Sequence, residues 1–207
     1  MKNGYIITGT DTDIGKTVFA AMLMLAFDAI YWKPLQSGTE NGGDRQAVQR
    51  LTGLPASRFH PERYIFMQPL SPHRAAEIDG VEIDADSIVV PEAHSPLLIE
   101  GAGGLMVPVT RQHLQIDLFK RWDLPVILCS RTALGTINHT LLSIEALRKR
   151  DIPVHGIAFI GPDNPDNIRT IAEYSGVSIL GRLPHLETLN AESLKRAFAE
   201  NFDRQDF

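Results

Sequence analysis

Short apolar runs alternate along this chain with longer segments of helical periodicity. The apolar runs predict strands at 5–8, 31–38 (broken by Pro34), 97–99, 125–129, 154–160 and 178–180. The periodic segments predict helices at 18–27, 44–51, 114–122, 165–175 and 191–201. Two more helices are predicted, one that begins at residue 73 and one that follows the turn 134–139 and ends near residue 150. The proline-spaced, aromatic stretch 61–72 is typical of a long packed loop.

This alternation predicts the fold class. Continuous apolar strands separated by helices are typical of parallel sheets that are buried on both faces. We therefore expect an α/β fold of three layers, with a mainly parallel sheet flanked by helices and joined by right-handed crossovers. A chain of 207 residues that is 43% hydrophobic can bury one sizeable core, so we expect a single domain over residues 1–207.

The segment Gly9-Thr10-Asp11-Thr12-Asp13-Ile14-Gly15-Lys16-Thr17 stands where the first strand turns into the first helix. Such a loop directs backbone N–H groups, the Lys16 ammonium and the Thr17 hydroxyl to one point, which suits a nucleotide phosphate with its Mg²⁺. It is a variant of the P-loop, because Thr10 occupies the position of the first glycine and Gly9 comes one residue earlier. The alternative is an ordinary turn with a solvated lysine.

Three charged residues stand where other elements end or begin. Lys33 and Glu100 close apolar runs, and Asp44 opens a helix. The carboxyl ends of parallel strands meet at one edge, so these groups can reach the phosphate loop. Glu100, followed by glycines, has the position of a carboxylate that helps to hold Mg²⁺. A solvated lysine at position 33 and a simple helix cap at position 44 are the alternatives.

A further turn, Leu134-Gly135-Thr136-Ile137-Asn138-His139, leads into a helix. Thr136 and Asn138 can cap this helix, or its free N–H groups can receive a carboxylate ligand. The histidines at positions 73, 139 and 185 have no assignable chemistry, and we take them as structural.

The net charge, the cysteine content and the length of the apolar runs limit the kinds of partner and the compartment that we expect. The formal net charge is -5, which argues against nucleic acid and favours small molecules. The one cysteine, Cys129, lies in an apolar run and has no disulfide partner, which suits a reducing cytoplasm. The first strand follows the N-terminus within four residues and the longest apolar run is too short for a bilayer, so we expect no leader, anchor or membrane partner.

Five segments together resemble the dethiobiotin synthetase family of the P-loop NTPase class. They are the loop 9–17, Lys33-Pro34-Leu35-Gln36-Ser37-Gly38, Ser71-Pro72-His73, Glu100-Gly101-Ala102-Gly103-Gly104 and the turn 134–139. Related ATPases share the phosphate loop and the Glu-Gly pair, but the combination in this order is specific. The resemblance covers most of the chain.

The resemblance implies an ATP- and Mg²⁺-dependent ligase. In such enzymes 7,8-diaminononanoate (7,8-diaminopelargonate) takes up CO₂ as a carbamate, ATP converts the carbamate to a carbamic-phosphoric anhydride, and ring closure gives dethiobiotin, ADP and phosphate. It also implies a homodimer with the site at the subunit interface, where the neighbouring subunit receives the substrate carboxylate.

Site residues follow from the resemblance by matching motifs. The catalytic residues would be Lys33, Lys16 and Thr12. The diamine would contact Thr12, Ser37, Leu134, Gly135, Thr136, Ile137 and Asn138, and the metal would contact Thr17, Asp44 and Glu100. The nucleotide would contact Asp13, Ile14, Gly15, Lys16, Thr17, Val18, Asp44, Glu100, Gly101, Ala102, Gly103, Ile160, Gly161, Pro184, His185 and Leu186.

Two departures from the family pattern lead to expectations. The link 28–32 between the first helix and Lys33 is short, so the second strand can be placed unusually. Ile160 and Gly161 stand where the family commonly has an Asn-Asp pair that reads adenine, so we expect a weaker or less base-selective nucleotide site.

Three other functions are alternatives to this ligase. Relatives that amidate carboxylates usually carry a glutaminase domain, for which this chain is too short. Dimerising regulatory ATPases of chromosome or septum partition carry a lysine at the position of Asp11. A nucleotide-binding pseudoenzyme would not need Lys33 and Glu100.

Overall fold

Six parallel strands form the central sheet of the structure, a computed structural model that describes residues 4–39 and 42–207. They are β1 (Gly4–Gly9), β2 (Ile30–Trp32), β5 (Leu97–Gly104), β6 (Val126–Arg131), β7 (Val154–Ile160) and β8 (Ile179–Leu183), in the spatial order β2-β5-β1-β6-β7-β8. A second, two-stranded parallel sheet pairs β3 (Leu35–Ser37) with β4 (Tyr64–Phe66). The predicted α/β class is confirmed.

Seven helices connect the strands within the described residues. They are α1 (Lys16–Phe27), α2 (Asp44–Thr52), α3 (Pro72–Asp79), α4 (Gln115–Trp122), α5 (Thr136–Arg148), α6 (Pro165–Ser175) and α7 (Ala191–Asn201). Asn164 and Asn190 cap α6 and α7 through their side chains, as their residue type favours. None of the helices in the described part of the chain has the length and apolar character needed to cross a bilayer.

Two hydrophobic clusters cover the two faces of the sheet. Successive residues of a strand point to opposite faces, so Ile6 lies in one cluster and Ile7 in the other. The Ile7 cluster holds α1 with parts of α2 and α7, and the Ile6 cluster holds parts of α3, α4, α5 and α6. The result is the predicted arrangement of helices on both sides of a parallel sheet.

The predicted strand 31–38 divides in two at Pro34. Its first part, β2, lies at the edge of the main sheet beside β5, and its second part is β3 of the small sheet. The Pro34 carbonyl accepts the N–H groups of Arg63 and Tyr64, which places β4 beside β3. The expectation of an irregular loop throughout 61–72 was therefore wrong for the three residues of β4 and for Pro72, where α3 begins.

Smaller differences concern boundaries. The α1 helix begins at Lys16, two residues before the predicted start, and α3 begins at Pro72. The β5 strand continues to Gly104 and β8 to Leu183, beyond their predicted ends. The short link after α1 is a left-handed Asp28 and a buried Ala29, which lead directly into β2 at the sheet edge.

Candidate active site

The phosphate loop runs from the end of β1 to the start of α1. Asp13 and Gly15 have left-handed backbone, with φ of 54° and 96°, so the chain turns sharply into the helix. No side chain caps α1 at Gly15, and the N–H groups of its first turn are therefore open to an anion. Lys16 is only 6% exposed and its ammonium donates to the carbonyl of Asp11 at 2.8 Å.

Glu100 joins the phosphate loop to the segment that carries Lys33. The carboxylate is 1% exposed and lies in β5, on the face of the sheet that α1 covers. Its Oε1 accepts the Thr17 hydroxyl at 3.0 Å and the Lys33 ammonium at 3.0 Å, and its Oε2 accepts the Tyr31 hydroxyl at 2.9 Å. Lys33 also forms an ion pair with Asp44, at the first turn of α2.

This cluster brings two ammonium groups to one side of the sheet. Lys33 reaches Thr17, the neighbour of Lys16, through the single oxygen Oε1 of Glu100. The structure thus places Lys33 beside the phosphate loop, while the predicted convergence of residues 16 and 33 on a triphosphate stays a prediction.

The two lysines have opposite pKa shifts. Burial lowers the pKa of Lys33, but the carboxylates of Glu100 and Asp44 outweigh it and leave the pKa above its ordinary value. For Lys16 burial dominates, and its pKa is lowered despite the attraction of Glu100. Lys33 is thus a permanent cation at neutral pH, held between two carboxylates.

A cleft of about 500 Å³ opens beside the phosphate loop. It is lined by predicted nucleotide residues from three parts of the chain, namely Asp13, Ile14, Gly15, Val18, Ile160, Gly161, Pro184, His185 and Leu186, together with Thr12. The predicted base-binding positions after β7 and β8 therefore share one cavity with the loop. Gly161 has a φ of 132°, and a Cβ there would lie 2.6 Å from the Thr132 hydroxyl, so glycine is required for this close approach.

Two residues of the site were missed by sequence reasoning. Arg131 ends β6, lines the cleft and forms an ion pair with Asp11 of the phosphate loop. A charged residue directly after an apolar run was the signal that selected Glu100; Arg131 follows the run 125–129 with only Ser130 between, so a slightly wider search for the same signal could have selected it. Tyr31 lies inside an apolar run and gave no such signal.

Other predicted residues lie around this cluster. A Cβ on Gly103 would lie 3.3 Å from the Thr12 hydroxyl, so the glycine segment after Glu100 packs closely on the phosphate loop. Gly101 in β5 leaves room for the ring of Phe119, where a Cβ would lie 2.9 Å from a ring carbon, and Ala102 packs against the core. The Ser37 hydroxyl, at the end of β3, is buried with no hydrogen-bond partner among the described residues.

The turn before α5 differs from expectation. Gly135 is the capping residue, with a φ of 91° and no side-chain bond, so the predicted capping by Thr136 or Asn138 was wrong. The Thr136 hydroxyl instead lies in the interior, 2.8 Å from the Ser130 hydroxyl. Leu134 is fully exposed, at 101%, and Asn138 is exposed as well, whereas Ile137 packs partly against the core.

The histidines take varied positions. His73 lies near the start of α3, where its Nδ1 is 3.0 Å from the Ser71 hydroxyl, and His139 is exposed on α5. His185 lines the cleft. Nothing in these contacts gives any of them a role in acid-base chemistry.

A parallel sheet with a lysine-bearing loop between its central strand and the following helix, and a buried carboxylate on the adjacent strand, defines a protein of the P-loop NTPase class. Residues 3–193 match the family described as an AAA domain. A protein from Rhodopseudomonas palustris (strain HaA2), named ATP-dependent dethiobiotin synthetase BioD, is 58% identical over all of this chain and 97% of its own length. One of the same name from Brucella anthropi is 56% identical over 98% of this chain and 96% of its own length. The chain belongs to the ATP-dependent dethiobiotin synthetase family.

Two solved structures illustrate the shared fold. A ParA family ATPase from Chlorobium tepidum TLS has a TM-score of 0.51 and 12% identity, over 98% of this chain and 91% of that one. The septum site-determining protein MinD from Pyrococcus horikoshii OT3, complexed with Mg-ADP, has a TM-score of 0.54 and 12% identity, over 95% of each chain. At this identity the likeness concerns the fold alone, and it does not favour a regulatory ATPase.

Proposed function

We propose that this chain is a dethiobiotin synthetase that uses Mg-ATP to close the ureido ring of dethiobiotin from 7,8-diaminononanoate and CO₂, releasing ADP and phosphate. The full-length relatives named for this activity support the proposal. The observation that carries it is the buried carboxylate of Glu100, which accepts the Thr17 hydroxyl and the Lys33 ammonium directly beside the phosphate loop that holds Lys16. A triphosphate could bind on the loop beside Lys16, and the Lys33 ammonium would then be a second cation close to its terminal phosphate.

The nucleotide is proposed to bind with its phosphates on the loop and its base in the adjoining cleft. The open N–H groups of α1 and the ammonium of Lys16 would hold the phosphates. Apolar side chains of the cleft, among them Val18, Ile160 and Leu186, would cover the faces of the base. The segment Glu100 to Gly103 would line the phosphate side.

Magnesium is proposed to bind at Thr17, Asp44 and Glu100. These side chains offer hydroxyl and carboxylate oxygens, the donors that Mg²⁺ prefers, and Thr17 and Glu100 are already 3.0 Å apart. Across the described residues no three His, Cys, Asp or Glu side chains form a ready-made metal cluster. This suits Mg²⁺, which keeps waters and phosphate oxygens among its ligands. When bound, it would neutralise charge on the β- and γ-phosphates.

The first proposed step joins the diamine to CO₂. The lone pair of an unprotonated amine attacks the carbon of CO₂, a C–N bond forms as one C=O π bond opens onto oxygen, and the nitrogen releases a proton to solvent to leave a carbamate. Nearby cations favour the neutral amine and stabilise the anionic carbamate. The raised pKa of Lys33 keeps it charged, so it would act as an electrostatic partner and not as a base.

The next steps transfer phosphate and close the ring. A carbamate oxygen attacks the γ-phosphorus and ADP leaves, which gives the mixed anhydride. The second amine then attacks the carbonyl carbon, phosphate leaves, and the cyclic urea forms. Lys16 and Lys33 would neutralise the charge on the γ-phosphoryl group, while Thr12 and Ser37 would hold the diamine in line with it.

The proposal includes a homodimer. The turn from Leu134 to Asn138 is largely exposed, and its uncapped helix start offers N–H groups to an anion. A neighbouring subunit would bring this turn to the end of the diamine chain that carries the carboxylate.

The proposed location is the cytoplasm. The buried thiol of Cys129, with no disulfide partner, suits that location.

Base selectivity is proposed to be weak. Among the described residues that line the cleft, none is Asn or Gln, the side chains that read adenine by paired hydrogen bonds. The carbonyl of Gly161 already accepts the Arg182 guanidinium at 2.9 Å. Turnover with ATP, CTP and GTP measures this directly, and a strong preference for ATP would contradict it.

Phosphate release tests the function. The protein is mixed with Mg-ATP and bicarbonate, with and without 7,8-diaminononanoate, and dethiobiotin is identified by mass spectrometry. We expect phosphate and dethiobiotin in equal amounts, and only with the diamine. Phosphate release that ignores the diamine would point to a regulatory ATPase instead.

A further inference from the structure

The two oxygens of Glu100 have different surroundings. Oε1 accepts the hydroxyl of Thr17 and the ammonium of Lys33, both on the side of the proposed magnesium site. Oε2 accepts the hydroxyl of Tyr31 at 2.9 Å, the one hydrogen bond found for this oxygen among the described residues. The Tyr31 hydroxyl is therefore the hydrogen-bond partner of the carboxylate oxygen that the proposed magnesium site does not use.

The position of the Tyr31 hydroxyl is set by the fold. Tyr31 is fully buried in β2, where it pairs with Leu98 of β5, two residues before Glu100. Its carbonyl accepts the N–H of His60 at 2.9 Å, and its ring lies edge-on to Phe59 with the centroids 6.2 Å apart. Backbone and ring are thus held from both sides, so the hydroxyl is a fixed donor.

We propose that Tyr31 is a positioning residue that holds the Glu100 carboxylate with Oε1 directed to the magnesium and phosphate site. The inference rests on the proposed function, in which Glu100 is a magnesium ligand. Tyr31 itself touches neither nucleotide nor metal in this proposal and acts through Glu100.

The phenol suits this role chemically. Its hydroxyl lies inside the protein at 2.9 Å from Oε2, on a ring that is fully buried, and a hydroxyl can donate its one proton to a carboxylate oxygen. Without the hydroxyl, Oε2 would be a buried anionic oxygen with no partner, and the carboxylate could rotate to share its oxygens between Lys33 and Thr17. Outer partners of metal ligands typically contribute about 10–100-fold to metal affinity.

The variant Tyr31→Phe isolates the hydroxyl, because the ring and its packing on Phe59 remain. Tyr64→Phe is the matched control, since the Tyr64 hydroxyl is hydrogen-bonded as well, here as the acceptor of the Asp84 N–H, but Tyr64 lies in the small sheet. Mn²⁺ binding to each ADP-loaded protein is measured by electron paramagnetic resonance. ADP affinity without metal is measured by calorimetry, and thermal unfolding verifies the fold.

We expect Tyr31→Phe to weaken Mn²⁺ binding by about 10–100-fold while metal-free ADP affinity stays unchanged. Tyr64→Phe should leave both unchanged. Unaltered Mn²⁺ affinity in Tyr31→Phe, or an equal loss in Tyr64→Phe, would overturn the positioning role.

Glu100→Gln separates this inference from the proposed function. If Glu100→Gln weakens Mn²⁺ binding and Tyr31→Phe does not, only the inference fails. If Glu100→Gln binds Mn²⁺ like the unaltered protein, the proposed magnesium ligand is wrong and the role of Tyr31 is overturned with it.

Discussion

Replacing Lys33 by glutamine removes the one charge that lies between two carboxylates. Lys33 is 5% exposed, its ammonium is 3.0 Å from Glu100 Oε1, and it pairs with Asp44. At an effective dielectric of about 20, two charges at this distance attract by about 5–6 kcal/mol, part of which burial offsets. Loss of one partner of a buried pair costs about 3–5 kcal/mol, because the remaining charge is left without compensation.

For a chain of this size, about 3–5 kcal/mol corresponds to a fall in Tm of about 6–20 °C. Activity should fall further than stability suggests, because the ammonium is proposed to stabilise the carbamate and the transferring phosphoryl group. Removal of one such charge typically lowers kcat by about 100–1000-fold. The assays are differential scanning calorimetry and diamine-dependent phosphate release, both below the Tm of the variant.

Two controls accompany the Lys33→Gln variant. Lys120→Gln changes an exposed lysine that is 4.0 Å from Asp151, and should alter neither Tm nor turnover. The double variant Lys33→Gln with Glu100→Gln should lose less stability than the sum of the single changes, because the two charges are removed together. Additive losses, or a Lys33→Gln variant as stable and active as the unaltered protein, would refute the coupling and the catalytic role.

Three further predictions concern the cleft and the response to pH. Gly161→Ala places a Cβ against the Thr132 hydroxyl at a φ of 132°, so urea denaturation should show a loss of about 1–3 kcal/mol and the KM for ATP should rise. The pKa of Lys33 is raised from 10.5 in the folded protein, so the charged lysine contributes its full stabilisation below pH 10.5 and loses it as the pH rises through the folded pKa. The difference in unfolding free energy between the unaltered protein and Lys33→Gln should therefore shrink only in that alkaline range. Glu77, bound by Arg111 and a second arginine, has its pKa lowered from 4.5 to about 2, so its contribution is present above pH 4.5 and is lost towards pH 2; Glu77→Gln should flatten the acid limb of the Tm curve over that range.

The fold followed closely from the sequence where elements are long or continuous. Apolar runs buried on both faces, such as 97–99 and 154–160, have few conformations other than a central strand, and the structure has β5 and β7 there. The β3–β4 pair could not be predicted in the same way. Each strand has three residues, β3 directly follows Pro34, and the pairing of the two strands depends on a contact across about 30 positions of the chain.

The site was predictable where a charged residue ends a strand. Lys33 directly follows β2, and Glu100 ends the apolar run 97–99 although β5 continues to Gly104; the rule that strand ends share one edge brought the two residues together. Tyr31 could not be found in this way, because its hydroxyl acquires a partner only when β2 lies beside β5. Thr136 shows the opposite error, since a residue type that suits a helix cap turned its hydroxyl into the interior towards Ser130.

The alignment of β1 with β5 has a consequence for refolding. Ile7 of β1 pairs with Glu100, so this carboxylate points towards α1. Sliding β5 by a single residue would invert its side chains and carry the acid to the opposite layer, beside Phe119 of α4. A misaligned molecule would keep much of its helix content yet lack the ligase centre, so recovered turnover reports correct strand alignment more sharply than circular dichroism does.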